Sequence, residues 1–253
     1  MKKILITIPV YNEDKILKQN ITILNTFLKN KTIFPYDYII EIADNRSKDN
    51  TKKIGMALER KYKNVKYTYI DQQGKGRAIK YSWNNASKDV DVLSFMDSDL
   101  ATDISYFPKL ISAITKENYD LAIGSRNNKR SIVKRSAFRQ FVTWGYLTIQ
   151  KILFNVHFED TQCGFKAIKK EKYLILKNQF NKKKFKFDKT DMFFDTELLL
   201  IAEKAHNLKI KSVPVKWTAG KDTKVNVIKL TYFFLKYLIK IKKHIKKLKL
   251  RQK

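Results

Sequence analysis

Val92-Leu93-Ser94-Phe95-Met96-Asp97-Ser98-Asp99 is an apolar run of strand length that stops abruptly in two carboxylates, one residue apart. In a parallel α/β sheet the carboxyl ends of the strands face the ligand crevice. Two acids placed there repel each other unless a cation sits between them. Carboxylates completed by water and phosphate oxygens are the ligand set that Mg2+ or Mn2+ takes. The pair at Asp97 and Asp99 therefore points to a divalent ion holding a diphosphate. The same residues also read as a solvated Asp-Ser-Asp turn closing a strand, and the motif alone does not decide between the two.

Working outward, the flanking sequence alternates strand and helix patterns. Strands are expected at Ile4–Val10, Asp37–Ala43, Val65–Ile70, Val90–Met96 and Leu121–Gly124. Between them, helices are expected at Asp14–Leu28, from an N-cap at Ser47 to Tyr62, from Gly74-Lys75-Gly76 to Ala86, and at Ser105–Lys116. This rhythm predicts a doubly wound, mostly parallel sheet flanked by helices. The second half reads differently. Residues 134–156 have a helical pattern with Phe138, Phe141, Trp144, Tyr146 and Phe154, then a Lys-rich loop at 181–189, a helix at 195–206 and a strand at 208–215. At 226–250, Lys229, Lys236, Lys240, Lys243 and Lys247 share one helix face. Leu230, Phe234, Tyr237, Leu238, Ile241, Ile245 and Leu248 lie opposite. No repeat and no Gly/Ser/Pro linker divides the chain.

Composition sets the bounds. With 253 residues, 43% hydrophobic and 13% aromatic, the chain has enough apolar surface for a core, which excludes wholesale disorder. The one cysteine, Cys163, forms no internal disulfide and fits a reducing compartment. The apolar run Ile4–Val10 is too short for a secretory leader. The stretch 225–241 is interrupted by Lys229, Lys236 and Lys240, well short of the ~20 apolar residues a membrane span needs. The balance of 53 Lys+Arg against 24 Asp+Glu, net +29, attracts polyanions of any kind: nucleic acid, anionic lipid or phosphorylated substrates. No zinc, RNA-recognition or helix-turn-helix signature accompanies it, so no nucleic-acid partner is expected.

Two further strand ends carry polar clusters, Pro9-Val10-Tyr11-Asn12-Glu13 and Asp44-Asn45-Arg46-Ser47-Lys48-Asp49-Asn50-Thr51. Acids and amides there suit a base and a ribose. Gly74-Lys75-Gly76-Arg77 opens a helix, where free backbone N–H groups and two cations suit a phosphate or a base edge. Ordinary turns and helix caps explain each segment about as well when it is taken alone.

Taken in order, these motifs resemble glycosyltransferase family 2, the inverting enzymes of the GT-A fold. The resemblance continues through Gly124-Ser125-Arg126, Arg135-Ser136 with Arg139, and Asp160-Thr161-Gln162-Cys163-Gly164-Phe165-Lys166. It ends with Phe194-Asp195-Thr196-Glu197-Leu198 and Val213-Pro214-Val215-Lys216-Trp217. This last set is most similar to the polyprenyl-phosphate sugar synthases, the dolichyl-phosphate β-glucosyltransferases among them. Two places depart from the pattern. The usual Asp-Asp-Gly-Ser turn is Asp44-Asn45-Arg46-Ser47, and the usual Gly-Ser-Lys is loosened to Gly220-Lys221-Asp222-Thr223-Lys224.

The resemblance implies a GT-A domain over 1–225, with a nucleotide-sugar half (1–125) and an acceptor half (126–225), followed by a basic amphipathic helix at 226–253. It implies transfer of a hexose, most simply glucose from UDP-glucose, onto a polyprenyl or dolichyl phosphate. Alternatives are GDP-mannose as donor, or a glycan or protein acceptor. Pro9, Tyr11, Glu13, Asp44, Lys75, Asp97 and Ser98 would bind the nucleotide sugar. Asp97, Asp99 and Gln162 would bind Mg2+ or Mn2+. Arg126, Arg135 and Arg139 would bind the acceptor phosphate, since guanidinium forks match phosphate oxygens. Asp97, Asp99, Arg126 and Arg135 would carry catalysis. Asp195 and Glu197 are read either as sugar contacts or as helix-capping acids, and Cys163 as a small buried residue. None of the three histidines, His157, His206 and His244, lies in a motif. The aromatic helix and the basic C-terminal helix would place the enzyme peripherally on an anionic, cytosol-facing membrane, each lysine contributing about 1 kcal/mol near such a surface.

Overall fold

A computed structural model of the chain describes residues 1–134, 137–180, 191–218 and 227–251. Strands β1 (Lys3–Val10), β2 (Asp37–Asp44), β3 (Val65–Tyr69), β4 (Val92–Met96) and β5 (Leu121–Ser125) alternate with helices α1 (Leu17–Lys29), α2 (Thr51–Lys61), α3 (Lys75–Asn84) and α4 (Phe107–Thr115). Then come β6 (Ile132–Lys134), α5 (Ala137–Phe154), β7 (Phe165–Lys169), α6 (Lys170–Leu176), α7 (Phe194–His206), β8 (Ile210–Pro214), β9 (Lys216–Thr218) and α8 (Val227–Leu250).

The main sheet has seven strands in the order β3-β2-β1-β4-β7-β5-β8, and β6 pairs with β9 in a separate ribbon. Every pairing in the main sheet is parallel except the two made by β7. β1, β4 and β5 are buried along nearly their whole length, as expected of strands covered on both faces. One core cluster holds Ile4, Ile6, Ile8, Leu24 and Phe107. The other holds Trp83, Phe95, Tyr173, Phe194 and the buried side of α8.

The topology positions the site. β1, β2, β4 and β5 all deliver their carboxyl ends to one edge. Because β7 runs the other way, its amino end, preceded by Asp160–Gly164, arrives at that same edge.

The structure corrects several sequence expectations. Ser47 does not cap α2, which starts at Thr51. The Ser47 hydroxyl accepts from the Asn12 amide at 2.9 Å, while Asp49 accepts from Thr51 N, also at 2.9 Å. The helix expected at 105–116 is divided into a 3-10 turn, Ile104–Tyr106, and α4, whose first turn accommodates Pro108. The aromatic helix starts at Ala137 rather than 134, because 132–134 are drawn into the ribbon with β9.

The largest correction concerns α8. Phe234, Tyr237, Leu238, Ile241, Ile245 and Leu248 are buried in the chain's own core rather than presented to lipid. Phe193 stacks on Tyr237 at 4.8 Å between ring centroids, and Tyr146 meets Phe234 at 4.6 Å. At about 1.5–3 kcal/mol for each such side chain, these six rival the ~5–15 kcal/mol net stability of a domain. The Lys-rich stretch 181–189, Arg135-Ser136 and Gly220–Lys224 lie outside the described residues.

Candidate active site

Pro9, Tyr11, Glu13, Asn45, Gln73, Gly74, Lys75, Asp97, Ser98 and Asp99 line one cleft of about 370 Å3 at the carboxyl ends of β1, β2 and β4. Asp97 is its electrostatic centre. Burial opposes ionisation of this carboxyl, yet the Lys75 ammonium, 2.7 Å from Oδ1, holds it below the usual carboxylate range, helped by Lys166 and Arg126. Gly164 backs Asp97 so closely that a Cβ there would collide with the carboxylate.

Asp99 and Glu13 behave oppositely. Burial raises the pKa of both, and the surrounding carboxylates add to the rise: Asp97 for Asp99, and Asp99, Asp49 and Asp97 for Glu13. Ser98 Oγ donates to Glu13 Oε1 at 3.2 Å, tying the two loops together. The cleft thus carries more negative charge than its one lysine balances.

Lys75 begins α3 directly after Gly74, whose φ of 139° is a backbone region open to glycine. Asn45 fixes this junction. Its amide nitrogen donates to Val10 O at 2.6 Å, and its Oδ1 accepts from Gly74 N at 2.9 Å.

Beside this cleft lies a smaller one of about 100 Å3, lined by Arg126, Asn127, Thr143, Tyr146, Leu147, Asp160, Thr161 and Gln162. Arg126 donates through Nε and Nη2 to the two oxygens of Asp160, at 2.8 and 3.0 Å, and its guanidinium lies 5.4 Å from the Trp217 ring centroid. The Asp160 carboxyl is buried, but Arg126 keeps it ionised below the usual range. A larger hollow of about 580 Å3 lies at the opposite end of the strands, among Lys2, Asp91, Thr115 and Lys170, and has no comparable acidic pair on a strand end.

Residues 5–174, more than half of the chain, match the family model described as Glycosyl transferase family 2. The chain belongs to glycosyl transferase family 2. Among its relatives, Glycosyltransferase AglD of Haloferax volcanii is 26% identical over 226 residues, covering 88% of this chain and 34% of that protein. Dolichyl-phosphate beta-glucosyltransferase of Mus musculus is 28% identical over 238 residues (88% and 70%), and its namesake of Saccharomyces cerevisiae 28% over 232 residues (84% and 66%). The chain thus spans about a third of the length of the Haloferax relative and about two thirds of the others. Among solved structures, glucosyl-3-phosphoglycerate synthase from Mycobacterium tuberculosis, in complex with Mn2+, UDP and phosphoglyceric acid, superposes with a TM-score of 0.66. Identity is 16%, with 96% of this chain and 78% of that one covered, a likeness of fold.

Within this family 2 chain the predicted residues fall in different places. Pro9, Tyr11, Glu13, Lys75, Asp97, Ser98 and Asp99 meet in one cleft. Asp44 is buried at the end of β2, its oxygens accepting from Tyr67 Oη at 2.7 Å and Ser47 N at 2.9 Å, so it organises the turn rather than lining the cleft. Arg46, where the family pattern has glycine, keeps that turn's left-handed backbone with φ 73°. Arg126 sits in the second cleft, and the forked edge expected to hold a phosphate is occupied by Asp160. Gln162 also lines the second cleft instead of the Asp97 cleft, and its backbone N–H donates to Asp160. Arg139 lies on the first turn of α5, and Arg135 lies outside the described residues.

Lys166 was given no role from sequence. It is fully buried on β7, 2.7 Å from Asp195 Oδ1, and Asp195, read from sequence as a sugar contact or a helix-capping acid, presents Oδ2 3.9 Å from Lys75. A lysine inside the apolar run Phe165–Ile168 was the available signal, since a buried ammonium requires a partner.

Among the described residues no three His, Cys, Asp or Glu side chains form a metal cluster. The cleft still fits a divalent ion: Asp97 already holds a cation in the Lys75 ammonium, and Asp99 and Glu13 are carboxyls held up by burial and mutual repulsion. Mg2+ and Mn2+ commonly take one or two protein carboxylates and complete their shell with phosphate and water.

Cys163 is buried beside these charges, and burial pushes its thiol up to about 11. The thiolate fraction at pH 7 is therefore negligible, and the native protein should resist thiol-labelling reagents that react once urea unfolds it. Rapid labelling of the folded protein would contradict this placement.

Proposed function

We propose that this chain transfers a hexose, glucose from UDP-glucose, with inversion onto a polyprenyl or dolichyl phosphate at a membrane surface. The observation that carries the reading is that one segment reaches two clefts: Asp160, Thr161 and Gln162 line the smaller, and Gly164 backs Asp97 in the larger. One is acidic, at the strand ends. The other holds Arg126 under an aromatic helix. The names of the mouse and yeast relatives support the lipid acceptor and the sugar.

In this reading Pro9, Tyr11 and Glu13 line the nucleotide side, with Lys75 and Ser98 near the diphosphate. Asp44 serves by holding the loop that carries Asn45. Asp97 and Asp99 would hold Mg2+ or Mn2+, which supplies charge stabilisation to the departing diphosphate. Lys75, anchored at the start of α3, keeps a second positive charge in the same cleft. Arg126, joined by Arg135 and Arg139 on the strength of the sequence motif, would orient the acceptor anion. A phosphate monoester has a second pKa near ~6, so it is already nucleophilic at neutral pH and needs positioning rather than a strong base. Accordingly, no histidine lines either cleft.

Peripheral attachment follows a different surface from the one expected. With its main apolar face buried, α8 still exposes Tyr232, Leu235 and Ile239, interleaved with Lys236, Lys240, Lys242, Lys243, Lys246, Lys247 and Lys249. Trp144 and Ile152 are exposed on α5, and no helix among the described residues is long and apolar enough to cross a membrane. Exposed apolar side chains interleaved with lysines suit the headgroup boundary of an anionic, cytosol-facing leaflet. Leu235→Ser with Ile239→Ser should reduce co-sedimentation with anionic vesicles without lowering the melting temperature, and wild-type binding should weaken as salt rises. A double variant that pellets like the wild type would remove α8 from the attachment.

The donor is tested by calorimetry with UDP-glucose, UDP-galactose and GDP-mannose in Mn2+. The reading expects UDP-glucose to bind most tightly and EDTA to abolish the difference. A preference for GDP-mannose would replace the donor.

A further inference from the structure

Four charged side chains form an alternating row through the floor of the donor cleft: Asp97, Lys75, Asp195 and Lys166. The contacts are unequal. Asp97 to Lys75 and Asp195 to Lys166 are each 2.7 Å, whereas Lys75 to Asp195 is 3.9 Å. The two lysines also differ in freedom. Lys166 is fully buried and fixed by a second bond, 2.6 Å, to the Cys163 carbonyl oxygen. The Lys75 side chain is 36% exposed, and its ammonium lies between two carboxylates. Its near partner, Asp97, belongs to the acidic pair. Its far partner, Asp195, presents Oδ2 to it while Oδ1 holds Lys166.

We propose that Lys75 is the resident counter-ion of Asp97 that an incoming divalent cation displaces, and that Asp195 is the positioning residue that receives the displaced ammonium. The inference rests on the reading that the metal binds at Asp97. An ammonium and a divalent ion cannot share one carboxylate oxygen without strong repulsion at such separation. A small swing of the flexible lysine stem closes the 3.9 Å gap and keeps both lysines paired. The row therefore offers Asp97 to the metal without leaving a charge uncompensated, and it keeps Lys75 within the cleft. Without metal, Lys75 preserves the shape of the cleft against repulsion between Asp97 and Asp99.

The test measures Mn2+ affinity by electron paramagnetic resonance, with and without UDP, on the full chain. Removing the competitor by Lys75→Met should tighten Mn2+ binding roughly tenfold without nucleotide. Asp195→Asn should weaken it roughly fivefold in the Lys75 background and less than about twofold in the Lys75→Met background, the coupling expected of a residue acting through Lys75. Melting curves establish folding. Where Asp195→Asn alone unfolds, Asp195→Asn with Lys166→Met, which removes one buried charge of each sign, carries the same comparison in both backgrounds. Equal or weaker Mn2+ binding by a folded Lys75→Met protein overturns the displacement while leaving metal binding at Asp97 intact. An Asp195 effect of the same size in both backgrounds overturns the receiving role. Absence of Mn2+ binding by every protein, even with UDP, overturns the metal reading itself and this inference with it.

Discussion

Asp97→Asn is expected to lower the proposed hexosyl transfer by about a thousandfold, the scale of losing one preorganised electrostatic contact to the developing charge. The expected loss is large because Asp97 has three roles at once. It is the ionised member of the acidic pair, the partner of Lys75, and the carboxylate against which Gly164 is packed. The change keeps the side chain's shape, so the melting temperature should stay close to that of the wild type. Mn2+ titration of the variant should show weakened binding in parallel with the rate. Transfer within tenfold of the wild type by a folded variant would remove Asp97 from the reaction.

The second large effect is expected at Arg126. Arg126→Ala leaves Asp160 buried without its counter-ion, which costs about 3–5 kcal/mol of stability. The pH dependence identifies the cause. Against the penalty of burial, Arg126 holds the Asp160 carboxyl below the ordinary aspartate value of 3.8. A depressed folded-state pKa contributes stability that is present above 3.8 and lost as pH falls through the folded value. The gap between wild type and variant should therefore be widest near neutrality and close in strong acid, as read by urea unfolding across pH. A gap independent of pH would assign the loss to packing against Trp217 instead. Arg126→Lys keeps the charge but not the fork, and the proposed role predicts a raised acceptor KM with unchanged donor affinity.

The parts of this fold legible in the sequence are those set by local pattern. β1 and β4 are continuous apolar runs ended by polar clusters, and Ile4–Val10 and Val90–Met96 were placed to within two residues at each end. Asp97 and Asp99 were legible for the same reason, since a strand end fixes where its next residues point. What depends on distant partners was not legible. The antiparallel insertion of β7 between β4 and β5 has no local signature, yet it brings Asp160 to Arg126 across 34 positions and Lys166 to Asp195 across 29. Phe234, Tyr237, Leu238, Ile241, Ile245 and Leu248 were read as one apolar face, but what that face meets depends on α5 and α7 being there to cover it. Asp44 was assigned to the ligand because a carboxylate at a strand end resembles one, and only the structure shows Tyr67 closing over it.

The central claim is that one chain joins a nucleotide-sugar cleft to a lipid-phosphate cleft. Incubation with UDP-glucose labelled in the sugar, phosphorylated prenol in vesicles and Mn2+, followed by extraction of the lipid, tests it most directly. The expected product is a labelled, acid-labile prenyl-phosphate glucose with the β configuration, absent in EDTA and absent with Asp97→Asn. Label recovered only in water-soluble products, or a lipid product undiminished in EDTA, would contradict it.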